Sequence, residues 1–140
     1  MNFTTRLPAF RKDNNKIQLS DILKNIDGEG LIWSFMDFEG VGTAATEIFK
    51  ISMSQFEFLT KREERGFVIS WEKLNLFSAL IDQVINTRLI GTRKMESISR
   101  GDEESNEIHD FVIECLDSTE WRVHFNSSPA QLKFQETFSY

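Results

Sequence analysis

From His109 to Asn126 the chain alternates apolar and polar residues on either side of a short polar break. Few arrangements satisfy that pattern. Because side chains repeat every two residues along a strand, a slip of one residue turns a whole apolar set to the wrong face. With Ser118-Thr119 as a two-residue loop, Phe111, Ile113 and Cys115 face Asn126, His124 and Arg122. With Asp117-Ser118-Thr119 as a three-residue loop, Phe111 meets Phe125, Ile113 meets Val123 and Cys115 meets Trp121. Glu114 then lies opposite Arg122, and Val112 opposite His124, on the other face. The second register yields one apolar face and a complementary charge pair, so it is the expected one. Its loop has no glycine, although loops of this length usually place one in the left-handed position.

The rest of the chain is read around this hairpin. Residues 1–16 are polar and irregular, with Arg6, Arg11, Lys12 and Lys16 against Asp13, and are expected to form a flexible amino-terminal arm. Residues 17–140 are expected to be a single α+β domain. Ser20 marks a short helix to Ile26, stopped at Asp27-Gly28-Glu29-Gly30. Leu31 to Phe38 is aromatic-rich and bounded by glycines, which reads as a strand, with Gly40-Val41-Gly42 closing it in a loop.

Ser54-Gln55-Phe56-Glu57 has the form of a capping box, with Met53 and Phe58 as a hydrophobic staple, for a helix to about Glu64 and a stop at Gly66. The alternation of Phe56 and Phe58 also suits a strand; the cap favours the helix. Phe67-Val68-Ile69 is a short strand. Ser70 caps a helix from Trp71 to about Asp82, in which Leu74, Phe77, Ser78 and Ile81 share a face. Val84 to Thr92 is β-branched and reads as a strand ending at Gly91. Ser128 caps a final helix with Pro129 at its first position. The expected fold is an antiparallel sheet with a carboxy-terminal hairpin and helices packed mainly on one face.

Charge narrows the function. Sixteen basic and 22 acidic residues leave a formal net charge of −6 in 140 residues, which argues against a nucleic-acid binder with its basic footprint. The single cysteine, Cys115, excludes an internal disulfide. No leader pattern and no apolar run of membrane-spanning length is present, so the expectation is a cytoplasmic protein with no membrane partner.

Three strings resemble chemistry. Gly40-Val41-Gly42-Thr43-Ala44-Ala45 fits G-x-G-x-x-A after a strand, the turn that brings backbone close to a pyrophosphate. No repeated βαβ pattern follows it, and the bland reading is a flexible connection. His109, Cys115 and His124 suggest metal ligands, but the hairpin register sends Cys115 and His124 to opposite faces, so no metal, cofactor or Cys–His nucleophile is expected. Asp37 and Glu39 flank Phe38, either as a binding rim or as solvated strand ends. Asp102, Glu103, Glu104 and Glu107 lie in a stretch with no base among them; the bland reading is a solvated loop, the functional one an electrostatic docking surface.

Leu31-Ile32-Trp33-Ser34-Phe35 with Gly40 to Ala44, Val68 to Leu74 followed by Leu89-Ile90-Gly91, and Asp117 to Trp121 together resemble small bacterial immunity proteins of polymorphic toxin systems, including contact-dependent growth inhibition. The resemblance spans residues 30–126. It implies a non-enzymatic cytoplasmic inhibitor that binds the toxic carboxy-terminal domain of a cognate effector, often a nuclease with a basic surface. No family residue carries over by position. The charge candidates for partner binding are therefore Asp37, Glu39, Asp102, Glu103, Glu104 and Glu107, with Trp33 as an aromatic anchor unless it belongs to the core. The alternatives are a nucleotide- or small-molecule-binding module at the Gly40–Ala45 turn, and an assembly subunit.

Overall fold

The computed structural model describes residues 3–100 and 108–140. Among the described residues, six strands form one antiparallel sheet: β1 (Phe3–Pro8), β2 (Ile32–Gly42), β3 (Phe67–Ile69), β4 (Ile81–Thr92), β5 (Phe111–Leu116) and β6 (Glu120–Phe125). Their order across the sheet is β1-β6-β5-β4-β2-β3. The same residues include five α-helices: α1 (Leu19–Leu23), α2 (Ala44–Phe49), α3 (Met53–Arg62), α4 (Trp71–Leu80) and α5 (Ser128–Thr137). The fold is α+β, and every helix contributes a buried side chain to a core on one face of the sheet.

The hairpin takes the three-residue register. Phe111 pairs with Phe125, Ile113 with Val123 and Cys115 with Trp121. Its loop solves the missing glycine by placing both Asp117 (φ 49°) and Ser118 (φ 59°) in the left-handed region, as the central residues of a type I′ turn require. Thr119 N–H closes that turn on Leu116 O at 2.9 Å. The strain is held by neighbours: Ser118 N–H donates to Ile85 O at 2.8 Å, and Asp117 N–H to Asn86 Oδ1 at 2.9 Å.

Several local expectations shift. Residues 3–8 are an edge strand paired along β6, with Leu7 buried, rather than a loose arm; alternation of Phe3, Thr5 and Leu7 supplies the core face. The α1 box is made by Gln18 and Asp21, whose carboxylate accepts from Gln18 N–H at 2.8 Å, and not by Ser20. The α3 cap is Ser52, two residues before the expected Ser54. Ser52 Oγ accepts from Gln55 N–H at 3.1 Å and Gln55 Oε1 from Ser52 N–H at 3.0 Å, an equally good box that starts the helix earlier. Ser127 rather than Ser128 caps α5. Ser70 caps α4 as expected, but α4 stops at Leu80 and β4 begins at Ile81 without a loop. Gly40 and Gly42 lie within β2, not in a loop.

The core is aromatic. Phe35, Phe38, Phe56 and Phe77 form mutual edge and tilted contacts at 5.0–5.6 Å between centroids. Strict alternation would not bury both Phe35 and Phe38 on one face. A bulge at Met36 shifts the β2–β4 register there: Met36 keeps the other face that alternation gives it, and the extra residue returns Phe38 to the core.

Trp33 lies on β2, between β4 and the edge strand β3, and is fully buried. It stacks on Trp71 at 5.4 Å and on Phe111 at 6.0 Å, and its Nε1–H donates to Gly28 O at 2.9 Å. The ring lies directly on the backbone of Gly91, its cross-strand partner: a Cβ there would come within 2.7 Å of the indole. Gly91→Ala is therefore expected to lower stability by about 2 kcal/mol through overpacking. Urea unfolding checks this, and combining it with Trp33→Phe should give less destabilisation than the sum of the two single changes.

Candidate functional site

The central ribbon outruns its neighbours. β3 reaches β2 only at Trp33, Ser34 and Phe35, and β5 pairs with β4 only from Thr87 to Gly91. Beyond those limits, β2 and β4 continue as a two-stranded extension in which Glu39 faces Asn86, Val41 faces Gln83 and Gly42 faces Ile81. The hairpin turn 117–119 folds against its free side.

Side chains bind this end of the sheet together. Asn86 Nδ2 donates to Glu39 Oε1 at 2.8 Å while its Oδ1 accepts from Asp117 N–H, so one amide orders two acidic segments. Gly40 N–H donates to Glu57 Oε2 from α3 at 3.0 Å. Gln83 Nε2 reaches Ser118 Oγ at 3.1 Å, and that hydroxyl donates to Val84 O at 3.2 Å. Asp82 lies beside Gly42. Glu39, Asp82 and Asp117 are exposed and Glu57 is half-buried, and the segments 39–42, 81–87 and 117–119 contain no Lys or Arg. Val41 and Leu80 add exposed apolar surface nearby in the chain, at 49% and 40% exposure.

The sequence candidates are thus separated. Glu39 belongs to the acidic end. Asp37 lies two residues before it on β2 and meets Lys61 of α3 at 3.7 Å. Trp33 is a core residue and cannot anchor a partner. Asp102, Glu103, Glu104 and Glu107 lie outside the described residues. Glu57, Asp82 and Asp117 escaped the sequence reading because only the strand register and the helix placement bring them together.

The Gly40–Ala45 string does not form a phosphate cradle. It ends an antiparallel strand, leads into a six-residue helix, and its Gly40 N–H is held by the Glu57 carboxylate where an anion would have to sit. Ala44 and Ala45 are small because they are buried in the core. Among the described residues, no three His, Cys, Asp or Glu side chains converge as a metal site, and no helix is long and apolar enough to cross a membrane.

The face opposite the aromatic core carries its own network. Met36, Ile90, Ile98 and Val112 make a small apolar cluster there. Beside it Thr4 Oγ1 lies 2.7 Å from His124 Nδ1, His124 Nε2 lies 2.7 Å from Glu114 Oε1, and Glu114 Oε2 accepts from Arg88 at 3.1 Å. The chain of bonds crosses β1, β6, β5 and β4. With Glu114 ionised, Nε2 of the ring is the donor, and a neutral ring accepts the Thr4 hydroxyl at Nδ1. Glu114 therefore pairs with His124 and Arg88 rather than with Arg122, which turns to Glu120 at 3.1 Å. A cavity of about 370 Å3 borders this network, with Lys61, Arg88 and Arg100 among its walls. Arg100 donates to the carbonyls of Glu63, Met36 and Thr60, tying the segment after β4 to the end of α3.

Burial pushes the Glu114 carboxyl up, but the His124 hydrogen bond and the Arg88 charge outweigh it, holding it below its ordinary value. Burial raises the Cys115 thiol. No protein-family model matches the chain, and comparison with curated proteins and with solved structures returned no match.

Because folding lowers the Glu114 pKa, its stabilisation is full above the unfolded value and is lost as pH falls through the folded one. Glu114→Gln is expected to cost about 1–3 kcal/mol at neutral pH, since it weakens charge-assisted bonds to two partners. Denaturation measured across pH should show that difference shrinking below the ordinary glutamate range; a constant difference would refute the linkage.

Proposed function

We propose that the chain is an immunity protein, a stoichiometric inhibitor that binds the toxic carboxy-terminal domain of a cognate bacterial effector and masks its basic surface. The observation that carries this reading is the ordered acidic end of the sheet. Glu39, Glu57, Asp82 and Asp117 come from separate segments; the Glu39 and Glu57 carboxylates are held by the Asn86 amide and the Gly40 N–H, the Asp117 backbone is held by Asn86, Asp82 lies beside Gly42, and the strand and turn segments there carry no base. Side chains already ordered in the free protein lose little conformational entropy on docking. A concentrated negative field accelerates encounter with a positively charged partner. Val41 and Leu80 supply apolar contact that charge alone does not.

The acids act by replacing a nucleic acid's phosphates as partners of the toxin's cations. Their geometry is a rigid rim rather than a flexible tail, which favours one docking orientation over many. The toxin's active site is covered either directly or by its neighbourhood, and both modes use the same charge complementarity.

The toxin encoded beside this chain is expected to co-purify with it, and co-expression should rescue growth. Glu39→Lys combined with Asp117→Lys should slow association about tenfold at low salt and flatten its salt dependence. Stopped-flow or surface-binding kinetics read both quantities. An association rate indifferent to both changes would remove the acidic end from the interface.

A further inference from the structure

The opposite edge of the sheet has its own recognition chemistry. β6 divides its backbone groups between two neighbours. Asn126 N–H donates to Asp110 O at 3.3 Å, so the even-numbered residues of β6 face β5. Thr119 O accepts from Ala9 N–H at 3.1 Å, so the odd-numbered ones face β1. With Leu7 opposite Trp121 and Thr5 opposite Val123, the ladder to β6 uses Leu7, Thr5 and Phe3. The backbone groups of Thr4, Arg6 and Pro8 therefore point out of the sheet.

Two details agree with that parity. Pro8, which has no N–H, occupies an outward position where none is needed for the ladder. Gln131 of α5 donates its side-chain amide to Thr4 O at 3.0 Å, and Gln135 donates to Thr5 Oγ1 at 3.1 Å. A glutamine amide on the outward carbonyl of an edge strand does the work of a neighbouring strand's N–H.

Between this edge and α5 runs a groove of about 400 Å3, walled by residues 4–7 and by Phe134, Gln135, Phe138 and Tyr140. Its border is cationic. The Arg6 side chain is 67% exposed and reaches Glu120 only at 4.0 Å. Lys12 stands over Tyr140 at 6.0 Å, and Arg11, over Phe138 at 5.5 Å, is itself paired with Asp21 at 3.5 Å and bonded to Ser139 O. In a chain of net charge −6, the first sixteen residues carry four bases and one acid.

We propose that this edge binds an extended acidic segment of a partner protein by strand addition. The segment's backbone pairs with Arg6, its carboxylates meet Arg6 and Lys12, and alternate apolar side chains enter the groove against the aromatic wall. The surface lies on β1 and α5, elements that the acidic end does not use, so the inference stands apart from the immunity reading.

A displayed library of random linear peptides, panned against the full chain, tests it. Recovered peptides should be acidic, and a bound one should slow amide exchange at Arg6. Arg6→Pro removes only an outward N–H from the backbone, so the chain should keep its unfolding midpoint. Its affinity for those peptides should fall about fivefold to tenfold, the loss of roughly one backbone hydrogen bond together with a charge. Arg6→Glu keeps the N–H, and should weaken acidic peptides and favour basic ones; it serves if the proline variant does not fold. No enrichment, enrichment of basic peptides, or binding that leaves Arg6 exchange unchanged would overturn the proposal. So would dimerisation of the chain itself that protects the Arg6 amide, which would make a second copy the occupant. None of these results bears on the Glu39 and Asp117 charge reversal.

Discussion

Trp33 is where the layers of this molecule meet. Its indole touches α4 through Trp71 and β5 through Phe111, hydrogen-bonds the segment before β2 at Gly28, and rests on β4 at Gly91. The ring rests on β4 at the one cross-strand neighbour that has no side chain. Gly91 provides that space and so fixes how closely α4 approaches the sheet. Interiors packed at crystal-like density transmit such a constraint, because neighbouring side chains have little room to compensate.

The bulge at Met36 lets one strand serve two faces out of step with simple alternation. It keeps Phe35 and Phe38 together in the aromatic core, while Met36 joins Ile90, Ile98 and Val112 on the other face. On that face the half-buried charges are not isolated. Glu114 is shared between His124 and Arg88, and the Thr4 hydroxyl completes the chain. A half-buried carboxylate with two partners holds strand positions in a way an apolar contact does not, because a misalignment weakens its charged pairs. The edge strand β1 is fastened to the sheet by this network as well as by its ladder.

Charge is distributed unevenly over the fold. Acidic residues gather where the long β2–β4 ribbon projects past its neighbours, and bases border the groove at β1 and α5. A uniformly acidic surface would keep the protein soluble and little more. Opposite fields at separate sites favour particular partners in particular orientations.

Much of the fold was legible in local pattern. The hairpin register followed from period-two alternation, the Ser70 cap from a serine before an apolar helical face, and β3 from three consecutive apolar residues. These signals are carried by residues close together in the chain. The errors fall where two local readings are equally good, as with Ser52-Gln55 and Ser54-Glu57, and where polar sequence gains order from a distant strand, as with residues 3–8. Trp33 illustrates the limit: its sequence neighbours do not say whether an aromatic residue is anchor or core, and only Gly91, far along the chain, decides it.

Glu39 was visible as an acid at a strand end, but its grouping with Glu57, Asp82 and Asp117 was not, because that depends on which strands outrun which. By itself, then, the sequence determined the class of fold, the hairpin pairing and the acidic balance, all of which arise from periodicity and composition. The tertiary structure alone decided which acids share a surface, which edge stays open and how Glu114 is paired. Those properties belong to contacts between residues tens of positions apart, on which no local preference acts.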